Sequence, residues 1–291
     1  MQPIFDRNRI RRQRLRTQGH FFDYSFLHQA VFDDMRDRLN IVQRTYQNVL
    51  QVGMRPGILG TDDASFKNLF VMDLLPSGDG CVVAGDEEYL RFAPNSFGLI
   101  FNPLTLHTVN DLPGALIQLR RALTPDGLFM ASLIGENSLH ELRQSLSESE
   151  IDICGGLSPR VAPMIGLQQM AGLMQRAGFS LPVADIQKIT VTYDDPMKLL
   201  RDLRGMGENR PMIADKDFRT PAKLFQNMSD IYRRDFTASD GRVTATFDII
   251  HVMGWAPHNS QQKPLRAGSA KHSLADALNT QEIQTGDIAT P

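Results

Sequence analysis

Four places in this chain set chemically able side chains immediately after short apolar runs. Gly53-Met54-Arg55-Pro56-Gly57 follows the run at 49–52, Asp73 the run at 69–72, Asp86-Glu87 the run at 81–84, and Asn102 the run at 98–101. Glycines after a first strand let the backbone pass close to a ligand. An acid about twenty residues further on stands where ribose hydroxyls can be hydrogen-bonded, and an acid after a third strand can accept from the amino group of adenine. Asn102, with Leu104 and His107 beyond it, borders the expected reaction centre. Each residue alone is an ordinary turn residue, and His107 reads equally as a packing or capping group. Their order is the signal: glycine loop, acid, acid, polar residue, at four successive strand ends. That order favours a cofactor containing a nucleoside. A nicotinamide cofactor would call for G-x-G-x-x-G, and Arg55 stands at the second glycine.

The elements that must position these residues are short strands alternating with helical patterns. Leu27, Val31, Met35 and Leu39 recur at helical spacing. Residues 112–123 are helical in pattern, Pro125-Asp126-Gly127 reads as a turn, and 128–133 makes a fifth strand. Such alternation implies an α/β fold, a mostly parallel, Rossmann-like sheet covered on both faces. Further helical patterns lie at 137–149, 167–177, 197–203 and 222–236, with strands at 186–193 and 243–255. The expected organisation is a basic helical arm and first helix over 1–40, a main domain over 41–260 with a helical cap at 194–240 before the last strand, and a polar tail over 261–291. Ligands of open parallel sheets bind beyond the carboxyl ends of the strands, beneath such a cap.

Composition narrows the function classes. A formal net charge of −2 gives no general attraction to nucleic acid. No apolar run reaches the roughly 18 residues of a membrane-spanning helix. Cys81 and Cys154 form no CxxC pattern, so no cysteine-rich metal site is expected, and a bacterial cytoplasm is the simplest compartment, with a mitochondrial matrix the alternative. The arginines at 7, 9, 11, 12, 14 and 16 read as a solvated helix face or as an arm that touches an acidic partner.

Several segments resemble the mitochondrial complex I assembly factor 5 family and its bacterial relatives: Ile4-Phe5-Asp6-Arg7, Asp86-Glu87-Glu88-Tyr89-Leu90, and residues 106–113 around His107-Thr108-Val109-Asn110-Asp111. Glu141-Leu142-Arg143, Leu157-Ser158-Pro159-Arg160, Arg204-Gly205-Met206-Gly207-Glu208 and Gly254-Trp255 extend the match over most of residues 3–278. The resemblance implies a class I methyltransferase fold that binds S-adenosylmethionine and lies near the malonyl-carrier-protein methyltransferases. It places Gly53, Arg55 and Gly57 at the methionine end, Asp73 at ribose, Asp86 and Glu87 at adenine, and Asn102 and Leu104 beside the cofactor. It leaves the catalytic residue open between Asn102 and His107. The mitochondrial relatives are associated with arginine hydroxylation on a complex I subunit. A protein substrate, and peripheral membrane association through a respiratory complex, are therefore expected partners. No metal site is expected, because His107, His140 and Asp111 lack the spacing of a facial triad. This chain departs from the family pattern at Gln51, Arg55, Pro56, Gly98 and Thr108. Three readings stay open: an enzyme acting on a protein or acyl substrate, a modifying or assembly factor that docks through Arg204 and Glu208, and a binding protein without catalysis.

Overall fold

The computed structural model describes residues 3–53, 59, 65–75, 82–213, 220–263, 269 and 273–281. Residues 1–258 form one compact unit and 259–291 a second. In the second unit a short helix, Leu274–Leu278, is capped by Ser273, which accepts from the Ala275 amide.

The first unit is built on seven strands: β1 (Tyr46–Val52), β2 (Phe66–Asp73), β3 (Val82–Ala84), β4 (Phe97–Pro103), β5 (Leu123–Ile134), β6 (Ser180–Tyr193) and β7 (Val243–Trp255). Their order is β3-β2-β1-β4-β5-β7-β6. The pairs β3–β2, β2–β1, β1–β4 and β4–β5 are parallel, whereas β7 runs antiparallel to both neighbours. The direction of the chain through the sheet reverses beside β1, the place beyond the strand ends where ligands of open parallel sheets bind.

Period-two alternation along the strands divides the core into two layers. Val49, Leu99, Phe101 and Met130 join one cluster with Leu27, Val31, Met35 and Leu39 of α2 (Phe26–Ile41). Leu50, Ile100 and Phe129 join the other, with Leu116 and Leu119 of α3 (Leu112–Ala122) and Met170 and Met174 of α5 (Leu167–Arg176). Each such side chain contributes about 1.5–3 kcal/mol on burial. The expected helix and strands thus occur, with two adjustments. The turn at 125–127 lies inside β5 as a bulge: the ladder passes from Phe97↔Leu123 to Leu99↔Leu128, with Asp126 at φ 61°. Strand β6 starts at Ser180, before the alternating residues 186–193, because β7 is long enough to pair with all of it.

One buried network has the atoms of a nucleophilic triad without its exposure. His251 Nδ1 lies 2.8 Å from Ser132 Oγ, and its Nε2 lies 3.5 Å from Asp34. Ser132 is fully buried in β5, so the group ties α2 to the sheet. Between β6 and β7 the chain forms α6 (Pro196–Met206) and α7 (Ala222–Phe236), and α4 (His140–Cys154) packs on α7.

Candidate active site

The first helix, α1 (Arg7–Thr17), starts at Asp6, whose carboxylate accepts from the Arg9 amide. It is pinned at its start. The Ile4 and Phe5 amides donate to Asn110 Oδ1, the Asp6 amide to the Pro211 carbonyl, and Phe5 bridges Met212. Arg7, Ile10, Arg14 and Thr17, at spacings of three and four, make its inward face. Arg11, Arg12 and Arg16 remain exposed, so only part of the basic helix is a solvated face.

That inward face meets the acids expected to recognise a nucleoside. Arg7 donates to Asp86 through Nε at 3.1 Å and Nη2 at 2.8 Å, and its Nη2 also contacts Glu87. Arg14 Nη1 lies 3.9 Å from Asp73 Oδ1. Burial by itself would lower the Arg7 pKa; the carboxylates of Glu87 and Asp86 outweigh it and hold the guanidinium charged. Asp73, at the end of β2, also accepts from the Leu75 amide at 2.7 Å. Asp86 accepts from the Glu88 amide. Glu87 is 1% exposed, and its Oε1 has no hydrogen-bond partner among the described residues.

The glycine loop is described only at its start. Gly53 has φ +96°, donates to the Met72 carbonyl, and a Cβ there would lie 2.4 Å from Thr105 Cγ2. Gln51 donates to the Gly53 carbonyl and accepts from the Leu59 amide, so it braces the two ends of the loop. Arg55 and Gly57 lie outside the described residues. Asn102 is fully buried and exchanges hydrogen bonds with Thr105 Oγ1 at 2.8 and 3.1 Å, fixing the turn after β4. Leu104 follows at φ 51° and points its side chain into the core.

His107 sits elsewhere. It lines a cavity of about 560 Å³ beneath the cap, floored by Leu139 just before α4, Leu142 and Leu146 of α4, Leu203 and Met206 of α6, and Phe247. Arg9, Arg201 and Arg204 also line it, and Glu208 is the one acid among its described lining residues. Helix α6 ends in Gly207 at φ 78°, with the Gly207 and Glu208 amides donating back to the Arg204 and Leu203 carbonyls. This left-handed stop, which favours glycine, carries Glu208 to His107: Oε2 lies 3.1 Å from His107 Nε2, and Oε1 3.6 Å from His28 Nε2. Burial would raise the Glu208 carboxyl; His107 and His28 outweigh it and hold the group well below the usual carboxylate range. Gly205 is equally constrained, since a Cβ there would lie 2.2 Å from the Tyr24 ring.

Other motif residues join distant segments. Glu150 on α4 accepts from Ser158 and from Arg160 at 2.6 Å. Glu141, 2% exposed, accepts from Thr246 on β7. Arg44 stands 4.5 Å above the Trp255 ring. Among the described residues, no group of three His, Cys, Asp or Glu side chains is placed to hold a metal ion. Sequence reasoning missed Arg7 and Arg14 as neighbours of the strand-end acids. Their seven-residue separation on one helix face was the available signal.

Comparison with known proteins agrees with this architecture. Residues 39–131 match a methyltransferase domain. Over 97% of this chain and 92% of its own length, the mitochondrial arginine-hydroxylase NDUFAF5 of Danio rerio is 34% identical. The malonyl-[acyl-carrier protein] O-methyltransferase of Laribacter hongkongensis is 26% identical over 90% of this chain and 94% of its own. Among solved structures, the YcgJ protein from Bacillus subtilis superposes with a TM-score of 0.53 at 13% identity, covering 78% of this chain and 100% of that one.

Proposed function

Since the chain belongs to the family of the mitochondrial arginine-hydroxylase NDUFAF5 and contains a methyltransferase domain, we propose that it is an S-adenosylmethionine-dependent enzyme acting on a protein substrate. The observation that carries the reading is the row of acids Asp73, Asp86 and Glu87 at the ends of two adjacent parallel strands. The unpaired, buried Oε1 of Glu87 fits a ligand that brings hydrogen-bond donors. Asp73 would hold the ribose hydroxyls and Asp86 the adenine amino group. Gly53, with Arg55 and Gly57 beyond it, would face the methionine end. Bound there, the cofactor supplies an electrophilic methyl group on a sulfonium.

The chain's own residues do the rest. Arg7 and Arg14 pair with the acids and bring α1 against them. The cavity behind His107 positions an acceptor, and its apolar floor excludes water, so that alignment lowers the barrier. We take the acceptor to be a protein arginine, as the relatives' name, arginine-hydroxylase, suggests, and the family resemblance points to a respiratory complex I subunit as the protein that carries it. Association with that complex would bring the protein to a membrane surface; among the described residues no helix is long and apolar enough to cross one.

A second reading, methylation of an acyl group on a carrier protein, is favoured by Arg9, Arg160, Arg201, Arg204 and Arg210 on the wall of a cavity with an apolar floor. Calorimetric titration with S-adenosylmethionine tests the shared premise: folded protein that gives no heat at millimolar ligand refutes both readings. Mass spectrometry of a complex I subunit preparation, and of malonyl-carrier protein, then separates them. A methyl gain on either protein identifies the acceptor, and an oxygen gain on the subunit identifies hydroxylation.

A further inference from the structure

The cap and the strand-end loop together build a dyad that neither forms alone. Glu208 enters from the left-handed stop of α6, and His107 from the turn after β4. Their 3.1 Å contact joins Oε2 to the ring Nε2. The carboxylate is ionised, so it has no hydrogen to give. The ring proton of a neutral His107 therefore sits on Nε2, and Nδ1 carries the lone pair. That Nδ1 is buried and has no hydrogen-bond partner among the described residues, on a side chain only 5% exposed that lines the cavity. A buried nitrogen of this kind ordinarily finds a partner, and a carboxylate on the far nitrogen fixes the tautomer and the ring orientation.

We propose that His107 is the general base of this enzyme and that Glu208 is its positioning residue. The inference rests on the methyltransferase reading above and adds the class of acceptor: an N–H or O–H group that must lose a proton. In the balanced step, the acceptor's lone pair forms a bond to the methyl carbon, the carbon–sulfur bond breaks, and sulfur keeps the electron pair as a thioether. The acceptor's proton passes to His107 Nδ1, and the resulting imidazolium is held by Glu208. An arginine guanidinium nitrogen has such a proton. A carboxylate acceptor has none, so the dyad favours the protein reading over the acyl one. The charged or titratable groups that line the cavity with His107 are Glu208, Arg9 on α1, Arg201 and Arg204 on α6, and Arg160 and Arg210; His28 on α2 meets Glu208, and Arg7 donates to the neighbouring Thr108.

The test uses the full chain labelled with ¹⁵N-histidine. Long-range proton–nitrogen spectra near neutral pH should show His107, assigned through the missing signal of His107→Gln, as the Nε2–H tautomer with an acceptor-type Nδ1. Glu208→Gln keeps the shape and removes the charge, so the preference of His107 for the Nε2–H tautomer should weaken, whereas the signals of exposed His140 and His258 should not change. A His107 in the Nδ1–H form, or a tautomer ratio unchanged by Glu208→Gln, overturns the dyad. With the complex I subunit preparation as acceptor, His107→Gln should lower kcat about 10²–10⁴-fold and leave the calorimetric affinity for S-adenosylmethionine unchanged. Retained turnover in His107→Gln overturns the base. A wild-type protein that binds the cofactor and transfers no methyl group overturns it as well, while one that binds no cofactor overturns the reading beneath it; the tautomer measurement is independent of both.

Discussion

Substituting Arg7 by Met tests whether α1 is fastened electrostatically to the strand ends. The guanidinium is 15% exposed and contacts two carboxylates, of which Glu87 is 1% and Asp86 24% exposed. Methionine preserves much of the apolar stem and removes the charge. Asp86 would remain hydrated and accept from the Glu88 amide, so solvent screens much of its share. Glu87 would be left as a buried carboxylate without its ion-pair partner, and breaking a buried pair from one side costs about 3–5 kcal/mol. Allowing for relaxation of α1 and protonation of Glu87, the expected loss is about 2–4 kcal/mol. That corresponds to a fall in Tm of roughly 4–16 °C for a domain of this size. Urea denaturation at pH 7 measures it. The double variant Arg7→Met/Glu87→Gln should regain part of the loss, because no charge is then stranded, and the cycle should give a coupling above about 1 kcal/mol. A single-variant loss below about 0.5 kcal/mol, the scale of neutral surface changes, would refute the idea that the pair fastens the helix.

Asp73→Ala should weaken S-adenosylmethionine binding by about 1–3 kcal/mol, the loss of a charge-assisted hydrogen bond; calorimetry showing unchanged affinity would remove Asp73 from the ribose site. Burial would raise the Glu150 carboxyl, and Arg160 with Ser158 outweighs it and holds the group below the usual carboxylate range. A depressed folded pKa stabilises above the unfolded value, about 4, and the contribution is lost as pH falls through the folded one. The stability advantage of the wild type over Glu150→Gln at pH 7 should therefore shrink in denaturation series carried to pH 3, and an advantage that stays constant would contradict the pairing. Gly205→Ala should cost about 1–3 kcal/mol, since its Cβ would fall inside the Tyr24 ring; a thermal melt matching that of wild type would show that the ring moves aside freely.

Much of the architecture was legible from residue order because its causes are local. Apolar runs closed by glycine or an acid make strands whose ends face one side, and Leu27, Val31, Met35 and Leu39 make a helix face wherever they are placed. The acids at 73, 86 and 87 could be assigned to strand ends for the same reason. The family segments, read as motifs, were silent about what each residue touches. Asn110 accepts from Ile4 and Phe5 across more than a hundred positions, and Glu150 meets Arg160 only after α4 has turned back. Pairings of that kind depend on how elements pack, which periodicity does not encode.

The sequence by itself determined the alternation of strands and helices, the candidate acids and the presence of His107. Only the tertiary structure decided that Arg7 and Arg14 face those acids, that Asn102 is engaged by Thr105, and that Glu208 orients His107. The first set follows from backbone hydrogen bonding and side-chain period over a few residues. The second requires chain segments up to about two hundred positions apart to share one cavity, and that is settled by burial of the apolar faces that bring them together.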